Sequence, residues 1–505
     1  MRILIILCIT LFSFTSFSQI QKVVEGKEYT NTRKEAFNGF IGESALAVYG
    51  VDYGYVSKKK QELIIRKFYK NDLSLIESYN IYSNPLDDYI NTPLELFYVN
   101  QQFYLFSQFD NYKSTKSKIG LFIFDENCNQ ISFKEVDTIQ QIKLTKIEVK
   151  MADDSTGFVV MQSHLHKVAN RQVVELTAID NNGKTLWKKE LLSTNSVNKT
   201  EVEQIIHTKN ETYLLCNYGY KSLSGNNSLS NKYTLWVYNH ELNFMKEVVL
   251  RLKRKWINGV KINLTKNNRL LIAGYVNNSK GFGINAYFNV FLNKKYEPQN
   301  GNYFKFSKDV FSQFISEKKL SKTNQLDDFY LRDVALQNDG SFYMIGEVYY
   351  KYVDRVYDPR TNVTSTTNHY NYNSILVSYF DMNGELKWHK RIAKFQNSTE
   401  DNGYYSSFSV ANLKDNSIAI IYNDNEKNLM LSLSDYDNHK ELFNNRRKAI
   451  VYVLADESGL VKRKRVVDKT NFLIYAKQSK AITNGNIYLK MEYGKHSKIM
   501  NVDFK

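Results

Sequence analysis

The chain has 505 residues and a formal net charge of +16, from 68 lysines and arginines against 52 aspartates and glutamates. Its 3 cysteines are too few for a disulfide framework, and its 4 prolines leave no proline-rich linker. Beyond the N-terminus, no stretch approaches the roughly 18 apolar residues that a membrane-spanning helix needs. The composition therefore disfavours a disulfide-rich, multi-linker or membrane-spanning protein.

The first eighteen residues are typical of a signal peptide. Arg2 supplies a short basic segment, residues 3–14 are apolar, and Ser16 and Ser18 place small residues before a cleavage site at Gln19. This pattern predicts an exported chain, periplasmic or secreted, in which residues 1–18 are removed and 19–505 form a single domain. Export disfavours nucleic acid as the partner of the positive charge. An anionic polymer of the cell envelope suits that charge better.

A polar turn followed by a short alternating apolar strand recurs eight times. The turns begin near Gly42, Asn100, Asp153, Lys209, Lys266, Asn338, Asp415 and Asn484. In most copies a second turn, rich in Asp, Asn and Gly, joins another apolar strand to a lysine-rich strand. Each unit then has four strands, a to d. This predicts an all-β fold, a β-propeller of four-stranded blades, with eight blades preferred and seven as the runner-up.

The ends of the chain are expected to pair. The last unit has strands a, b and c but lacks an outer strand, and the segment QIQKVVEGKEYT follows the cleavage site. This N-terminal strand is predicted to complete the last blade and close the ring, which removes an open sheet edge.

Long connections interrupt the repeat in units four to seven. They comprise residues 219–233, 304–330 and 349–373, and about twenty residues after Asn425. All lie between strands b and c or between d and a, and these connections emerge on one face of a propeller. Binding residues tend to lie on such loops, so this face is the predicted functional face. Within 304–330, the spacing of the apolar residues predicts one amphipathic helix over Ser307–Lys322.

Units six and seven place polar and aromatic residues on the predicted functional face. Tyrosine rings stack on sugars, while amides and carboxylates bond hydroxyls or peptide groups. The predicted binding residues are Glu347, Tyr349, Tyr350, Gln396, Asp401, Tyr404, Tyr405, Asp424 and Asn425. In the alternative interpretation, the Asn and Asp residues shape turns and the tyrosines cover blade edges.

The unit-six insertion is enriched in tyrosine and arginine, as binding hot spots are. We interpret it as a lid or partner-docking loop; a loop without function is the alternative. Its predicted partner-contact residues are Tyr352, Arg355, Tyr357, Arg360, His369 and Tyr370.

Other polar groups are better explained by structure. Basic runs such as Arg251–Lys255, His389–Arg391 and Lys462–Arg465 nearly all fall in predicted d strands, where lysines prevent edge-to-edge pairing. His164 and His166 could hold a metal, but no third ligand follows at motif spacing. No nucleophile elbow, zinc-protease motif or phosphate loop occurs. The sequence therefore predicts no catalytic residue, metal or cofactor.

Two segments resemble known repeats. DNNGKTLW (Asp180–Trp187) and DMNGELKW (Asp381–Trp388) resemble the D-x-x-G-x-x-x-W motif of quinoprotein-like propellers, in which the tryptophan helps to dock neighbouring blades. Residues 338–428 are similar to uncharacterised exported propellers of Bacteroidota. These resemblances imply a propeller fold and export. They imply no quinone, since the chain has neither an adjacent-cysteine pair nor an acidic calcium loop to hold one.

Together these observations favour an exported binding or scaffolding propeller. Its partner would be an envelope protein, a glycan or another anionic envelope polymer. A carbohydrate-active enzyme, hydrolase or lyase, using Glu347, Asp401 and Asp424 is the first alternative. A structural subunit of a cell-envelope complex is the second.

Overall fold

The computed structural model describes residues 20–504, apart from 31–34, 58–59, 82–84, 87–88, 112–115, 141–143, 167–170, 193–198, 220–231, 251, 253–254, 279–282, 443–447, 461–462 and 484. Within that part, the strands form eight antiparallel sheets, and each sheet is built almost wholly from consecutive strands. The predicted signal peptide and most of the unit-four insertion lie outside the described residues.

The first five sheets have four strands each, named a to d in chain order. The first sheet comprises Glu35–Glu43, Ala47–Ser57, Lys60–Tyr69 and Leu75–Ile81; the second, Ile90–Val99, Gln102–Asp110, Lys116–Phe124 and Gln130–Gln140; the third, Leu144–Met151, Gly157–His166, Arg171–Asp180 and Thr185–Leu192; the fourth, Lys199–His207, Glu211–Gly219, Lys232–Asn239 and Phe244–Leu250; and the fifth, Trp256–Leu264, Leu270–Asn277, Ala286–Leu292 and Pro298–Lys305.

The remaining sheets are less regular. The sixth comprises Phe329–Leu336, Phe342–Asp358, Val363–Phe380 and Leu386–Thr399; the seventh, Ser409–Asn412, Ile418–Asn425, Lys448–Asp456, Gly459–Leu460 and Lys464–Arg465; and the eighth, Leu473–Ile474, Lys480–Thr483, Asn486–Tyr493 and His496–Phe504, with the N-terminal strands Ile20–Glu25 and Tyr29–Thr30. Two α-helices, Lys308–Phe314 and Glu317–Leu320, and two 3₁₀ helices, Glu426–Met430 and Ala476–Gln478, complete the described elements.

The core lies between neighbouring sheets. Strand b of the fifth sheet, Leu270–Asn277, is buried along its whole length, which requires cover on both faces. Phe158 of the third sheet packs on Phe97 and Phe106 of the second, with ring centroids about 5 Å apart. Strand a of most sheets also contacts strand a of the next. Four-stranded sheets packed face to face around their innermost strands make a β-propeller.

The two motif tryptophans join neighbouring sheets. The Trp388 indole N–H of the sixth sheet donates to the carbonyls of Asp456 and Glu457 in the seventh, at 3.2 and 3.0 Å. Trp187 of the third sheet packs edge-on against Tyr238 of the fourth, at 5.0 Å. The docking role implied by the propeller motif is confirmed for both residues.

The N-terminal strand pairs with the last strand of the chain. Ile20–Glu25 runs antiparallel to His496–Phe504, with Val23 opposite Val502. Ile20 and Val23 pack against a buried cluster that includes Met500 and Phe504. This is the pairing expected from the missing outer strand of the last unit.

The prediction of one helix over Ser307–Lys322 is wrong in its length. The structure has two short helices, separated by Ile315 in an extended conformation (φ −132°, ψ 146°). Ser307 caps the first helix by accepting from the Val310 amide. Val310, Phe311, Phe314 and Ile315 do face the protein, against the fifth and sixth sheets. A break after Phe314 lets Ile315 and Leu320 both reach this apolar cluster.

The unit-six insertion is not a loop but a long hairpin, formed by Phe342–Asp358 and Val363–Phe380. Its strands pair continuously from Tyr349 opposite Tyr372 to Asp358 opposite Val363. The segment alternates tyrosine, valine and threonine without an internal glycine, and these residues favour strands. Asn362, at φ 52°, forms the turn. The insertion therefore extends the sheet beyond the propeller face.

Two further observations concern helix length and the cysteines. No helix in the described part is long and apolar enough to cross a membrane. Cys128 and Cys216 are both free thiols.

The pairing of the chain ends makes a testable contribution to stability. Val23→Asp places a carboxylate against the apolar cluster at the end of the eighth sheet, and we expect it to lower the free energy of unfolding by about 1–3 kcal/mol. Lys22→Asp introduces the same side chain on the exposed side of the strand and should have a much smaller effect. Urea unfolding followed by circular dichroism measures both; equal stability of the two variants would contradict the packing described here.

Candidate functional site

A fully buried carboxylate lies within strand b of the sixth sheet, next to a register shift between Glu347 and Tyr349. Glu347 accepts hydrogen bonds from Lys394 Nζ at 2.7 Å, Arg332 Nε at 2.8 Å and Ser407 Oγ at 2.8 Å. The Glu347 and Lys394 side chains are both 0% exposed. Lys394 also donates to the Tyr372 carbonyl and to Gln396 Oε1. A buried charge is tolerated only when it is paired and hydrogen-bonded, as it is here.

Arg332 owes its position to a β-bulge. The register of strand a shifts between Leu331 and Asp333, so Arg332 has no residue opposite it on strand b. A bulge turns a side chain away from the regular ladder direction. The guanidinium here lies over the rings of three tyrosines, Tyr330, Tyr349 and Tyr372, at 5.3–5.7 Å from their centroids. These distances are those of cation–π contacts.

A second cation reaches the same aromatic group from the eighth sheet. Lys477 Nζ is 4.7 Å from the centroid of the Tyr372 ring and 3.2 Å from its hydroxyl oxygen. The ring is held from behind by Gly403, where any Cβ would come within 2.3 Å of it. Gly403 also has φ +64°, a conformation that suits glycine. Tyr330, Arg332, Tyr349, Tyr372 and Lys477 are called the cation–tyrosine cluster below.

Positive charge accumulates at the cluster. Burial lowers the pKa of Lys477, and the neighbouring Arg332 charge lowers it further. Burial also lowers the pKa of Lys394, although Glu347 acts in the opposite direction. Arg332 Nη2 is buried and has no hydrogen-bond partner among the described residues. The cluster thus combines a local excess of cations, which favours an anionic group, with one buried guanidinium nitrogen that lacks a partner among the described residues.

Strand b of the seventh sheet and strand b of the first sheet each contain a buried carboxylate in an ion pair, as strand b of the sixth sheet does. In the seventh sheet, Asp424 lies 3.2 Å from Arg463 Nε and 3.7 Å from His439 Nε2. Between the first and eighth sheets, Asp52 accepts from Lys490 Nζ at 2.7 Å. Asp52 also pairs with Arg66 of its own sheet. This end of the propeller therefore rests on buried charges in four sheets that follow one another.

A cleft adjoins the cluster through Lys477. It has a volume of about 350 Å³ and is lined by Lys477 with residues of strand a of the first and second sheets, among them Asn38, Glu95 and Phe97. It provides space for a ligand next to the cation–tyrosine cluster.

Several of the predicted binding residues are buried. Glu347 and Asp424 hold the ion pairs just described, and Gln396 accepts from Lys394 and donates to the Asn423 carbonyl. Asn425 caps the 3₁₀ helix that begins at Glu426. In this structure these side chains make their hydrogen bonds and ion pairs within the protein.

The predicted tyrosines and Asp401 lie closer to the surface. Tyr349 belongs to the cluster. Tyr404 and Tyr405 pack on Tyr475 of the eighth sheet, at 4.8 and 5.1 Å between centroids. Asp401 accepts from the Gly403 amide and so shapes the loop behind Tyr372. Tyr350 lies at the base of the long hairpin and is 36% exposed.

The predicted partner-contact residues lie on the long hairpin but differ in exposure. Tyr352, 41% exposed, stacks on His369 at 4.5 Å, and His369 lies 3.0 Å from Asp354. Tyr357 and Arg360 are open to solvent at the tip. Tyr370, by contrast, is buried and donates to Asn402 at 2.7 Å. Arg355 is exposed.

The interpretation of basic residues as edge protection fails at two positions. Arg463 is 2% exposed and donates to the carbonyls of Asn428 and Ala393. Arg391 is buried beneath Tyr436, at 4.1 Å from its ring, and its pKa falls to about 10 through burial. Both arginines are therefore buried inside the protein, where side chains and carbonyl groups from other parts of the chain contact them. Most of the run Arg251–Lys255 lies outside the described residues.

One of the two possible metal ligands, His164, has a described side chain. His164 lies 3.8 Å from Glu175, and the side chain of His166 lies outside the described residues. No group of three or more potential ligands occurs in the described part of the chain.

Sequence reasoning missed three residues of this site: Arg332, Lys394 and Lys477. The first two lie in largely apolar segments, FYLRDVAL and RIAKF, each of which contains one further charged residue. A charge in a buried strand requires a partner, and that is the signal that could have indicated them. Lys477, in a short 3₁₀ helix, has no comparable signal.

The buried carboxylate is expected to control the stability of the sixth sheet. Glu347→Gln leaves Lys394 buried without a counter-charge, so the free energy of unfolding should fall by about 3–5 kcal/mol. Glu135→Gln removes the carboxylate of a half-exposed pair with Lys118 and should cost less than about 1 kcal/mol. Chemical unfolding of both variants tests this, and similar losses in the two would show that Glu347 has no special role.

No protein-family model and no curated protein matches the chain. Among solved structures, it is similar to the WD40 domain of SCAP from fission yeast, with 9% identity, a TM-score of 0.38 and coverage of 94% of this chain and 98% of that one. It is also similar to the propeller domain of the Trilobed protease from Pyrococcus furiosus, with 9% identity, a TM-score of 0.39 and coverage of 87% of this chain and 98% of that one. For polysaccharide lyase Uly1 the identity is 10%, the TM-score is 0.37, and the coverage is 95% of this chain and 99% of that one. Similarity at this level transfers no substrate or partner to this chain.

Proposed function

We propose that the protein is an exported, eight-bladed β-propeller that binds an acidic glycan at the cation–tyrosine cluster. One observation supports the binding proposal above the others. Arg332 lies among three tyrosine rings with Lys477 nearby, and it retains a donor nitrogen without a partner among the described residues. The rings suit sugar faces, and the cations suit the carboxylate or sulfate groups of the chain.

The eight-bladed, closed arrangement is supported by contacts between the eighth and first sheets. Gly39, with φ +138°, approaches the Gln478 carbonyl so closely that a Cβ would lie 3.2 Å from it. The Asp52–Lys490 pair joins the same two sheets. Pairing of Ile20–Glu25 with the last strand would then close the ring at the eighth blade.

A binding role accounts for the rigidity beneath the cluster. Arg332 is fixed by Glu347, and the Tyr372 ring by Gly403 and Lys477. Side chains that are held in place before the ligand arrives lose little conformational entropy on binding. The net charge of +16 favours an anionic polymer over a neutral one and speeds its approach.

The hydrolase alternative is less favoured by the contacts. Glu347 and Asp424 would have to leave fully buried ion pairs to act on a substrate. Asp401 alone among the three predicted acids is partly open to solvent. A glycosidase requires two carboxyl groups that both reach the substrate.

The long hairpin remains a candidate surface for an envelope protein. Its tip exposes Val356, Tyr357 and Val363, each more than half exposed. Apolar exposure of this kind on a projecting element is compatible with partner contact.

Glycan binding is tested with polygalacturonate, a carboxylated polymer, and with dextran, an uncharged one. We expect polygalacturonate to retard the protein in affinity electrophoresis and dextran not to. Raising the salt concentration should weaken the interaction, since ion pairing contributes to it. Retardation by dextran alone would contradict the proposal.

Substitution of Lys477 tests whether the acidic glycan binds at the cation–tyrosine cluster. Lys477→Gln should raise the Kd for polygalacturonate fragments about tenfold, because it removes one cation next to the ligand without breaking a buried ion pair. The matched control is Lys189→Gln, since Lys189 lies over the Tyr238 ring at 5.4 Å on an outer strand. Isothermal titration calorimetry measures both, and an equal effect of the two substitutions would assign binding to overall charge.

A further inference from the structure

A second cleft lies on the opposite face of the propeller, where strands a and b are joined. Its volume is about 320 Å³, and its walls come from turns of the third, fourth and fifth sheets. Residues with polar side chains dominate the lining, including Asp153, Lys209, Glu211, Asn239, Lys294 and Tyr296. The size is at the small end of ligand pockets. None of these residues belongs to the cation–tyrosine cluster.

Glu211 is the central group of this cleft. Its carboxylate accepts hydrogen bonds from the hydroxyls of Tyr213 and Tyr296, which come from the fourth and fifth sheets. The Asn239 amide also donates to it, at 3.2 Å. The backbone of Glu211 is fixed in turn by two bonds with Thr208, at 3.0 and 3.1 Å. The bonds from Tyr296 and Asn239 both end on Oε1 and that from Tyr213 on Oε2, so Oε2 can still accept one hydroxyl group of a ligand.

Tyr296 adopts an unusual conformation to reach Glu211. Its φ is +59°, a left-handed value that is uncommon for a bulky residue. Lys246 Nζ lies 5.7 Å from its ring centroid and bonds the Lys295 carbonyl. The backbone conformation is therefore stabilised by side-chain contacts, and the ring forms part of a fixed wall.

The charges around the cleft cancel. Asp153 and Glu211 are matched by Lys209 and Lys294, and the amides of Asn210, Asn239 and Asn268 complete the lining. A balanced site of carboxylates, amides and an aromatic ring suits a ligand with many hydroxyls and no net charge. The cation–tyrosine cluster differs, since its cations are in excess.

We propose that this cleft binds a neutral sugar, a mono- or disaccharide, with one hydroxyl donating to Glu211 Oε2 and one sugar face against Tyr296. The site is independent of acidic-glycan binding at the other face. The protein would then contact two different saccharides at opposite ends of the propeller.

The test uses methyl glycosides of glucose, galactose and mannose, with lactose and cellobiose, in saturation-transfer NMR on the full chain. At least one should bind with a Kd in the range of about 0.1–10 mM. Binding by none of them at about 50 mM overturns the proposal. Stronger binding of glucosamine than of every neutral sugar overturns it too, since it assigns the cleft to a charged ligand.

Substitutions in the cleft test whether the sugar binds there. Glu211→Gln should weaken binding at least tenfold, and Tyr296→Phe, which retains the ring but removes the hydroxyl, by a smaller factor. Tyr303→Phe is the matched control, because its hydroxyl bonds Asn278 on the same sheet outside the cleft. Lys477→Gln should leave sugar binding unchanged, which separates this test from that of acidic glycan. Thermal melting shows that each variant is folded; full sugar affinity in folded Glu211→Gln overturns the proposal.

Discussion

A carboxylate with no access to water organises the candidate site. Glu347 must be neutralised where it lies, and Lys394, Arg332 and Ser407 do so from strand d, strand a and the following connection. Each of these contacts joins a different part of the chain, so the end of the sixth sheet has little freedom to move. Arg332 is held by one nitrogen, and its remaining donors lie among the tyrosines. The orientation of the exposed cluster thus follows from the requirement of a buried charge.

Similar buried charges in neighbouring sheets extend this rigidity. Asp424 with Arg463, and Asp52 with Lys490, lie on the sheets that follow the sixth around the propeller. The second and third sheets instead bury uncharged Ser107 and Gln162 in strand b. Ion pairs are weaker contributors to stability than apolar packing, but they specify one arrangement of their partners. Geometric specificity, more than stability, then explains their position beneath the proposed binding surface.

The repeat made the fold readable because its signals are local. Turn residues such as Asp381 and Gly384, and the alternation within each strand, require no tertiary information. The site is different, since Arg332 and Lys394 acquire meaning only through Glu347. Residues 349–373 were misjudged for a related reason: an insertion looked like a loop although its tyrosines and valines favour strands. Local sequence patterns therefore predict strands and turns, whereas the partners of a buried charge can be identified only from the three-dimensional structure.

The two candidate sites differ in how their charges are balanced, and this difference bears on ligand choice. Lys394 is buried and has its counter-ion, whereas Lys477 is partly open to solvent and contacts the Tyr372 ring and hydroxyl. An unmatched cation is tolerated because water solvates it. A ligand that displaces that water must supply negative charge, or the cation is left unpaired. At Glu211 the opposite holds: lysines already balance the acids, so a charged ligand would create the imbalance that a neutral one avoids.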